Sequence, residues 1–365
     1  MSGTSLDAVD AAMILTDGET IQEFGPATAR TYSHEERDIL QRATDAARKW
    51  NWGKQEPTAA FARARETISY THLLTARSLF MDPDCPHPDI LGIHGQTVLH
   101  RATTPDQPGQ TLQLLDATEI HQAINKPIAY DFRTADIEAG GQGAPLAPVY
   151  HAALMKGLAR APGEGAPVAI NLGGVANLTG YTSDGEIIAC DIGPANGPID
   201  EWVERHGKGR YDADGAFASQ GRVDHARVDK IMNRLFFSAP APKSLDRYDF
   251  SADLAEGLSF EDGCATLTHL TARAVAHGVT YLLGNVGKIV LCGGGRYNST
   301  LKKMLAEQLA GGELLTAEDV GWRGDSVEAE AFAFLAVRTL RGLPISWPKT
   351  TGVPAPTTGG KLLGV

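Results

Sequence analysis

The residue pattern alternates short apolar runs with glycine-containing turns and longer helical stretches. Asp17-Gly18 and Asp184-Gly185 are typical of two-residue hairpin turns between strands. Apolar or alternating runs predict strands at 9–16, 20–24, 90–93, 127–130, 168–172, 186–191 and 288–292. Helical spacing of Ala, Leu and charged residues predicts helices within 34–80, 118–124, 145–158, 225–283, 298–309 and 326–341.

The recurring unit is a strand, then a glycine turn, then a helix or a hairpin, and it indicates an α/β fold. At 365 residues the chain is longer than one hydrophobic core usually supports, so we expect two domains. Each half contains a strand, a glycine loop and a hairpin. Two similar domains with a cleft between them are therefore expected.

Composition narrows the class of protein. The net charge of -11 argues against non-specific binding to nucleic acid or to anionic membranes, because both reward a basic surface. No apolar stretch approaches the roughly 20 residues that span a bilayer. The four cysteines are scattered and form no CxxC-type pair, which is typical of a reducing compartment. The cytoplasm is the expected location.

Three segments combine glycine with short polar residues next to a predicted strand. Small residues let backbone N–H groups approach a phosphate, hydroxyls donate to its oxygens, and a carboxylate can hold Mg²⁺. Each segment alone is also typical of a tight turn, whereas three in one chain favour a phosphate site. The segments are Gly3-Thr4-Ser5-Leu6-Asp7-Ala8-Val9-Asp10, Asn171-Leu172-Gly173-Gly174-Val175-Ala176-Asn177-Leu178 and Cys292-Gly293-Gly294-Gly295-Arg296-Tyr297-Asn298.

Asp191 closes a predicted strand and precedes a Gly/Pro-rich loop at 192–199. A rigid loop holds such a carboxylate in a fixed position, which suits a general base within reach of the proton that it removes. Capping of the following helix is the alternative, for Asp191 and more so for Asp200.

Polar residues after two other predicted strands are candidate ligand contacts. His94 and Thr97 lie in the turn after the strand at 90–93, and Arg133 could grip a carboxylate with two parallel hydrogen bonds. A structural histidine and a surface ion pair are the alternatives. The glycine-rich stretch at 140–143 could be an interdomain hinge or a substrate loop.

Taken together, these segments resemble the anhydro-N-acetylmuramic acid kinases, sugar kinases of the actin, hexokinase and heat-shock ATPase fold group. The resemblance runs the full length and implies an α/β protein with two actin-like, ribonuclease H-like ATPase domains and an interdomain cleft. Residues 1–140 with about 326–345 would form one domain, and 141–325 the other. The matching segments include MSGTSLDAVD, GIHGQTVLHR, DFRTADIEAGGQGAPLAPVYH, NLGGVANLT, DIGPANGPIDEW, PKSLDRYDF, LCGGGRYNS, VEAEAFAFLA and TGVPAP.

The resemblance implies a reaction, its cofactors and its partners. ATP and Mg²⁺ would serve to open the 1,6-anhydro ring of anhydro-N-acetylmuramic acid, giving N-acetylmuramic acid 6-phosphate during peptidoglycan recycling. A cytoplasmic homodimer with this small-molecule substrate is implied. From the residues alone, two other classes stay open: a nucleotide-dependent, chaperone-like binding protein, which offers no use for Asp191, and a glycosidase with two cooperating carboxylates.

Roles follow at the matching positions. The resemblance implies that Asp191 activates a water that attacks C1 of the sugar, while O6 takes the γ-phosphoryl group. The segment 3–10 would bind the ATP phosphates, with Asp7 a partner of Mg²⁺. The other implied contacts are Gly173, Gly174, Gly293, Gly294 and Gly295 along the nucleotide and Thr97, Arg133 and Glu328 at the sugar.

The chain departs from the family pattern in three places. Ala8 stands where the family has glycine, and because alanine restricts φ, a slightly altered phosphate loop is expected. Thr134 and Ala135 stand where the family often has arginines. The family also has a short strand before the phosphate loop, so we expect such a strand upstream of Met1.

Overall fold

The computed structural model describes residues 1–3, 5–104, 106–245, 249–309 and 311–365. Its strands are β1 (Ala8–Thr16), β2 (Ile21–Thr31), β3 (Leu91–Ile93), β4 (Gln96–Arg101), β5 (Gln110–Leu114), β6 (Ile128–Tyr130), β7 (Ala166–Leu172), β8 (Val175–Tyr181), β9 (Ile187–Pro194), β10 (Val286–Cys292), β11 (Glu313–Thr316) and β12 (Lys361–Leu363).

Helices alternate with these strands along most of the described chain, which confirms the predicted α/β class. They are α1 (His34–Trp50), α2 (Thr58–Phe80), α3 (Ala117–Ile124), α4 (Thr134–Glu138), α5 (Pro148–Lys156), α6 (Asn196–Arg205), α7 (His225–Met232), α8 (Leu235–Ser238), α9 (Phe260–Leu283), α10 (Ser299–Gln308) and α11 (Val327–Leu340).

The chain forms two compact units, residues 1–157 with 325–365 and residues 158–324. The boundaries predicted from the sequence were 140/141 and about 325/326. Helix α5 accounts for the difference, because it packs on α11 of the first unit, with the ring centroids of Tyr150 and Phe334 5.6 Å apart. The assignment of these stretches to functional domains stays a prediction.

Three small sheets form the first unit. Strands β1 and β2 make an antiparallel hairpin, β4 and β5 make another, and β6 lies between β3, which is parallel to it, and β12, which is antiparallel. The predicted hairpin at Asp17-Gly18 is present, but Thr16 pairs with Ile21, so the connection has four residues rather than two. Gly18 has a φ of +79°, and Asp17 Oδ1 accepts the N–H groups of Glu19 and Thr20 at 2.9 and 2.7 Å, which closes the longer turn. The return strand runs to Thr31, beyond the predicted limit of Phe24, because its residues keep pairing with β1.

A cavity of about 530 Å³ lies inside the first unit, lined by β1, β3, α2 and α11. In the described residues β1 pairs with β2 and β3 pairs with β6. The first residues of the chain lie along the other edge of β1, where the Asp10 N–H donates to the Met1 carbonyl at 2.9 Å and Ser2 forms an antiparallel bridge with Val9. The buried His72 also lines this cavity, and its Nε2 has no hydrogen-bond partner there. The strand expected upstream of Met1 stays a prediction.

The second unit is built on one five-stranded sheet of order β11-β10-β7-β8-β9. Strands β7, β10 and β11 are parallel, and β8 and β9 extend the sheet as an antiparallel meander. Side chains on one face, including Ile170, Leu178 and Cys190, are fully buried with residues of α9 and α10. Because side chains alternate along a strand, the polar residues between them share the opposite face.

None of the helices described reaches the length and apolar character that a membrane crossing requires.

Candidate functional site

The glycine-containing turn at the start of the chain lies against the His94-Gly95 turn and the first residues of β4 in the first unit. Thr97, which the sequence placed in the turn, lies in β4, because Gln96 and Thr97 already pair with β5. Ser2 Oγ donates to Gln96 Oε1 at 2.5 Å, and Gln96 Nε2 donates to the Gly3 carbonyl at 3.3 Å. The Ser5 hydroxyl donates to Asp7, and Arg37 Nη2 holds the Ser5 carbonyl at 3.1 Å. Two segments that the sequence analysis treated separately are therefore hydrogen-bonded neighbours.

The second half of this segment is core strand. Leu6 and Val9 are buried in the first unit, so a ligand would meet their main chain rather than their side chains. Leu6 has a φ of +56°, whereas Ala8 begins β1 without a positive φ. Alanine fits ordinary strand backbone, so Ala8 adds no backbone strain here, and the altered phosphate loop stays a prediction. Thr4 lies outside the described residues.

Acidic groups gather near this turn. Burial raises the pKa of Asp10, and Asp7 adds to the rise by like-charge repulsion. Glu328, in the first turn of α11, also has a raised pKa, caused by desolvation first and then by Asp10, although the residue keeps access to solvent. In the described part of the chain, no group of three or more His, Cys, Asp or Glu side chains forms a ready metal site.

His94 connects two of the predicted sugar contacts. Arg133 Nε lies 3.0 Å from His94 Nε2, and Thr97 Oγ1 lies 3.4 Å from the same nitrogen. Desolvation lowers the pKa of Arg133 to about 10, so the guanidinium stays charged at neutral pH, and the charge of Glu328 opposes that decrease. The structure thus brings Thr97 and Arg133 together, with Glu328 acting on Arg133 through its charge.

Residues after Arg133 form helix α4. Thr134 and Ala135, which stand where the family often has arginines, are the first two residues of this helix. The Thr134 hydroxyl donates to Asp131 Oδ1 at 2.5 Å, and Lys361 pairs with the other Asp131 oxygen at 2.8 Å. A short helix held in this way by Asp131 positions Arg133 without the further arginines.

In the second unit, two glycine segments follow the parallel strands β7 and β10, which pair with each other. Parallel neighbours end at the same edge of a sheet, so Gly173-Gly174 and Gly293-Gly294-Gly295 lie side by side. The Gly174 carbonyl accepts the N–H groups of Ala195 and Gly197 at 3.1 and 3.0 Å, and the Gly173 carbonyl accepts that of Asn196 at 2.9 Å. The first turn therefore occupies the N-terminal N–H groups of α6, and its exposed side is left for a ligand.

The second glycine loop is held by a buried arginine. Arg296 is 1% exposed, its Nη1 donates to the Gly293 carbonyl at 2.9 Å, and its Nε lies 3.0 Å from Glu318 Oε1. Charge-assisted bonds from a planar guanidinium fix geometry strongly. Sequence analysis named Arg296 only as a member of the loop, since nothing in the sequence pairs it with Glu318.

Asp191 lies within β9 rather than at its end, because the strand continues to Pro194. Its Oδ2 accepts the Leu245 N–H at 2.7 Å, and its own N–H donates to the Lys243 carbonyl at 3.0 Å. Burial raises the pKa of Asp191 to about 6, and the Leu245 bond opposes this rise. It does not cap the next helix, and a carboxylate with this pKa is suited to accept a proton near neutral pH.

Strand register places Asp191 in a polar row across the sheet. Asp191 pairs with Asn177 of β8, Asn177 pairs with Asn171 of β7, and Asn171 pairs with Cys292 of β10, directly before Gly293. Directly opposed residues point to the same face, so the carboxylate and the two amides share the face opposite the core. Asn171 and Asn177 were not predicted as functional side chains, although both stand in the segment around Gly173-Gly174.

Glycine loops at the ends of parallel strands, in a sheet that also carries a carboxylate with a raised pKa, are typical of nucleotide-using α/β enzymes. The sequence model of the anhydro-N-acetylmuramic acid kinase family matches residues 1–364. The chain belongs to this family. It is therefore a kinase, an enzyme that uses ATP, and the predicted resemblance and enzyme class are confirmed.

Curated relatives match over the whole chain. The anhydro-N-acetylmuramic acid kinase of Caulobacter vibrioides is 49% identical over 369 residues, covering 100% of this chain and 98% of the relative. The protein of the same name from Phenylobacterium zucineum is 50% identical over 367 residues with the same coverage.

Solved structures are more distant. The activator of the 2-hydroxyisocaproyl-CoA dehydratase from Clostridium difficile with bound ADPNP has a TM-score of 0.38 and 11% identity, covering 92% of this chain and 96% of that one. An inorganic polyphosphate/ATP-glucomannokinase from Arthrobacter has a TM-score of 0.38 and 12% identity, covering 90% and 93%.

Proposed function

We propose that this protein opens the 1,6-anhydro ring of anhydro-N-acetylmuramic acid and phosphorylates O6, giving N-acetylmuramic acid 6-phosphate in peptidoglycan recycling. The observation that carries the proposal is Asp191, a half-buried carboxylate whose pKa burial raises to about 6, in the same row across the sheet as the residue before Gly293. Membership of the kinase family supports it.

Asp191 acts as the general base. It removes a proton from a water molecule, whose oxygen attacks C1 of the sugar, and the C1–O6 bond breaks. O6 then attacks the γ-phosphorus of ATP, ADP leaves, and the proton stays on Asp191 until solvent takes it. The departing sugar oxygen is captured by phosphorus, so hydrolysis and phosphorylation are coupled without a separate general acid.

ATP binding is assigned to three segments of main chain. Gly3, Ser5 and Asp7 are assigned to ATP, and so are the Gly173-Gly174 and Gly293–Gly295 loops, because main chain of this kind offers N–H groups to phosphate oxygens. Asp7 would hold Mg²⁺. One carboxylate suits that ion, because Mg²⁺ takes one or two protein carboxylates and completes its shell with phosphate oxygens and water. Bound there, Mg²⁺ supplies neutralisation of phosphate charge.

Sugar recognition is assigned to the first unit. Arg133 binds the lactyl carboxylate of the sugar, and Thr97 and Glu328 hydrogen-bond its neutral groups. The charged guanidinium and the half-buried setting favour an anionic ligand, since charge-assisted hydrogen bonds strengthen away from bulk water. We also propose a cytoplasmic homodimer, which the family resemblance implies.

A single assay tests the proposed function. The purified protein is mixed with Mg-ATP, and ADP release is followed with and without 1,6-anhydro-N-acetylmuramic acid, with mass analysis of the product. We expect sugar-dependent ADP release and a product one water and one phosphoryl group heavier. Sugar-independent ATP turnover would favour a chaperone-like protein, and a ring-opened product without phosphate would favour a glycosidase.

The activity should also depend on pH. Because the folded pKa of Asp191 is about 6, its base form is lost as the pH falls through that value. We expect kcat to decrease about tenfold per pH unit below about 5.5 and to level off above about 7. Initial rates between pH 5 and 8, with both substrates saturating, measure this. A rate that stays constant down to pH 5 would contradict the role of Asp191.

A further inference from the structure

We infer that His94 is a positioning residue for sugar recognition: as a neutral imidazole protonated on Nδ1, it accepts a hydrogen bond from Arg133 and aims the guanidinium at the ligand carboxylate. The inference rests on the proposed function, in which Arg133 binds that carboxylate. In this inference His94 does not contact the sugar, but it determines the orientation in which Arg133 binds the sugar carboxylate.

The hydrogen-bond pattern fixes the tautomer of His94. Arg133 Nε always carries a hydrogen, so His94 Nε2, 3.0 Å away, must be the acceptor. The remaining proton is then on Nδ1, which lies 3.0 Å from the Gly95 carbonyl and donates to it. Burial, followed by the charge of Arg133, holds the pKa of His94 well below its usual value, in agreement with a neutral ring.

The imidazole itself is held firmly. His94 is 4% exposed, and its ring centroid lies 4.7 Å from that of Phe332 on α11. A ring packed in this way has little rotamer freedom, so its Nε2 is a fixed acceptor rather than a mobile one. The orientation of the Arg133 guanidinium is therefore fixed through its hydrogen bond to an imidazole that is packed in the core of the first unit.

A second anchor fixes the other end of the guanidinium. Arg133 Nη1 donates to the Gly143 carbonyl at 2.7 Å, and the Gly143 N–H donates to Asp136 Oδ1 at 2.6 Å. Asp136 is 1% exposed, and its Oδ2 accepts the Thr351 hydroxyl at 2.6 Å. Gly143 has a φ of +72°, which explains a glycine in this loop. Part of the loop at 140–143 is thereby tied down on both sides.

These two anchors leave one guanidinium nitrogen for a ligand. Within the described residues, Arg133 makes hydrogen bonds through Nε and Nη1 and no carboxylate lies within ion-pair distance, so Nη2 is without a protein partner. A planar guanidinium with two of its nitrogens held in place binds a carboxylate from one direction. Removal of the His94 acceptor would free the guanidinium to rotate and leave Nε unsatisfied.

The test compares His94→Leu with His94→Gln and His94→Asn. Glutamine places its amide oxygen at the reach of Nε2 and can still accept from Arg133, whereas asparagine reaches only the position of Nδ1. We expect His94→Leu and His94→Asn to raise KM for 1,6-anhydro-N-acetylmuramic acid about 10- to 100-fold. The change in kcat and in KM for ATP should stay within about threefold, and His94→Gln should restore most of the sugar affinity.

A second ligand separates recognition of the acid from a general structural effect. Competitive binding of 1,6-anhydro-N-acetylglucosamine, which lacks the lactyl carboxylate, should be the same in all three variants as in the wild type. Equal loss for both sugars, no loss in His94→Leu, or failure of His94→Gln to restore affinity in a protein with normal Tm would overturn the inference.

Arg133→Leu distinguishes this inference from the proposed function. If Arg133→Leu binds the acidic sugar as tightly as the wild type, Arg133 does not bind the lactyl carboxylate, and its assignment fails. If it loses the acidic sugar while His94→Leu does not, only the role of His94 fails. Absence of sugar-dependent ADP release in the wild type would instead contradict the proposed function itself.

Discussion

Asp191→Asn is expected to lower the turnover number by about 10³-fold or more while ATP affinity stays within about threefold of the wild type. The amide has the shape of the carboxylate and can still accept the Leu245 N–H, which lies 2.7 Å from Oδ2. It cannot take a proton from water, so the attack on C1 loses its base. Steady-state ADP release measures the loss, and calorimetric titration with a non-hydrolysable ATP analogue measures binding.

The same substitution should stabilise the protein at neutral pH. The folded pKa of Asp191 is raised from 3.8 to about 6, so the folded state favours the protonated carboxyl, and the ionised form above pH 6 costs stability. At about 1.4 kcal/mol per pKa unit, the gain for Asp191→Asn is on the order of 3 kcal/mol at pH 7. It should shrink as the pH falls from 6 and disappear below about 4.

Asp229→Asn is the matched control in the same unit. Asp229 is exposed and pairs with Arg273 at 3.3 Å, an arrangement that contributes little to stability. Turnover, ATP affinity and Tm should all match the wild type. An Asp191→Asn variant with turnover near the wild-type value would remove Asp191 from the mechanism, whatever its Tm.

The local patterns predicted much of the fold because they depend on neighbouring residues. Strands β1, β7 and β10 and helices α3, α10 and α11 end within two residues of their predicted limits. In contrast, β8 was not predicted, because the second half of NLGGVANLT was grouped with the glycine turn. The β4–β5 hairpin was also missed, since its connecting residues 102–109 carry no Asn-Gly or Asp-Gly pair.

The candidate site could be predicted as a set of residues but not as an arrangement. Glycine loops and Asp191 stand out in the sequence by residue type. The row from Asp191 through Asn177 and Asn171 arises from strand register, and the Arg133–His94 bond joins residues 39 positions apart. Such relations depend on which strands become neighbours, which local residue patterns do not encode.

Substitutions in the glycine loops are also expected to have a large effect on ATP binding, and the adjacent residues Gly293 and Gly294 provide a matched pair of positions. A Cβ at Gly294 would have Asn196 Nδ2 as its nearest neighbour at 3.8 Å, and a Cβ at Gly174 would meet nothing within 4 Å. Neither glycine has a positive φ. Gly294→Ala and Gly174→Ala should therefore fold with unchanged Tm, although the added methyl group would stand where the main chain approaches a phosphate.

For these two variants we expect KM for ATP to rise about 10- to 100-fold at constant stability, because a methyl group would keep phosphate oxygens from backbone N–H groups. Gly293→Ala should behave differently. Gly293 has a φ of +72°, and its Cβ would lie 2.8 Å from the Leu172 carbonyl oxygen, so the backbone itself would have to move.

Left-handed backbone costs an alanine roughly 1–2 kcal/mol, and the displaced carbonyl adds to this, so Gly293→Ala should lose about 2–4 kcal/mol of unfolding free energy. Urea unfolding of Gly293→Ala and Gly294→Ala, with ATP titrations of each, separates the two effects. Normal ATP affinity in both Gly294→Ala and Gly174→Ala would show that the nucleotide does not approach these loops. Wild-type stability in Gly293→Ala would show that the Leu172 carbonyl can move away from the added methyl group without loss of unfolding free energy.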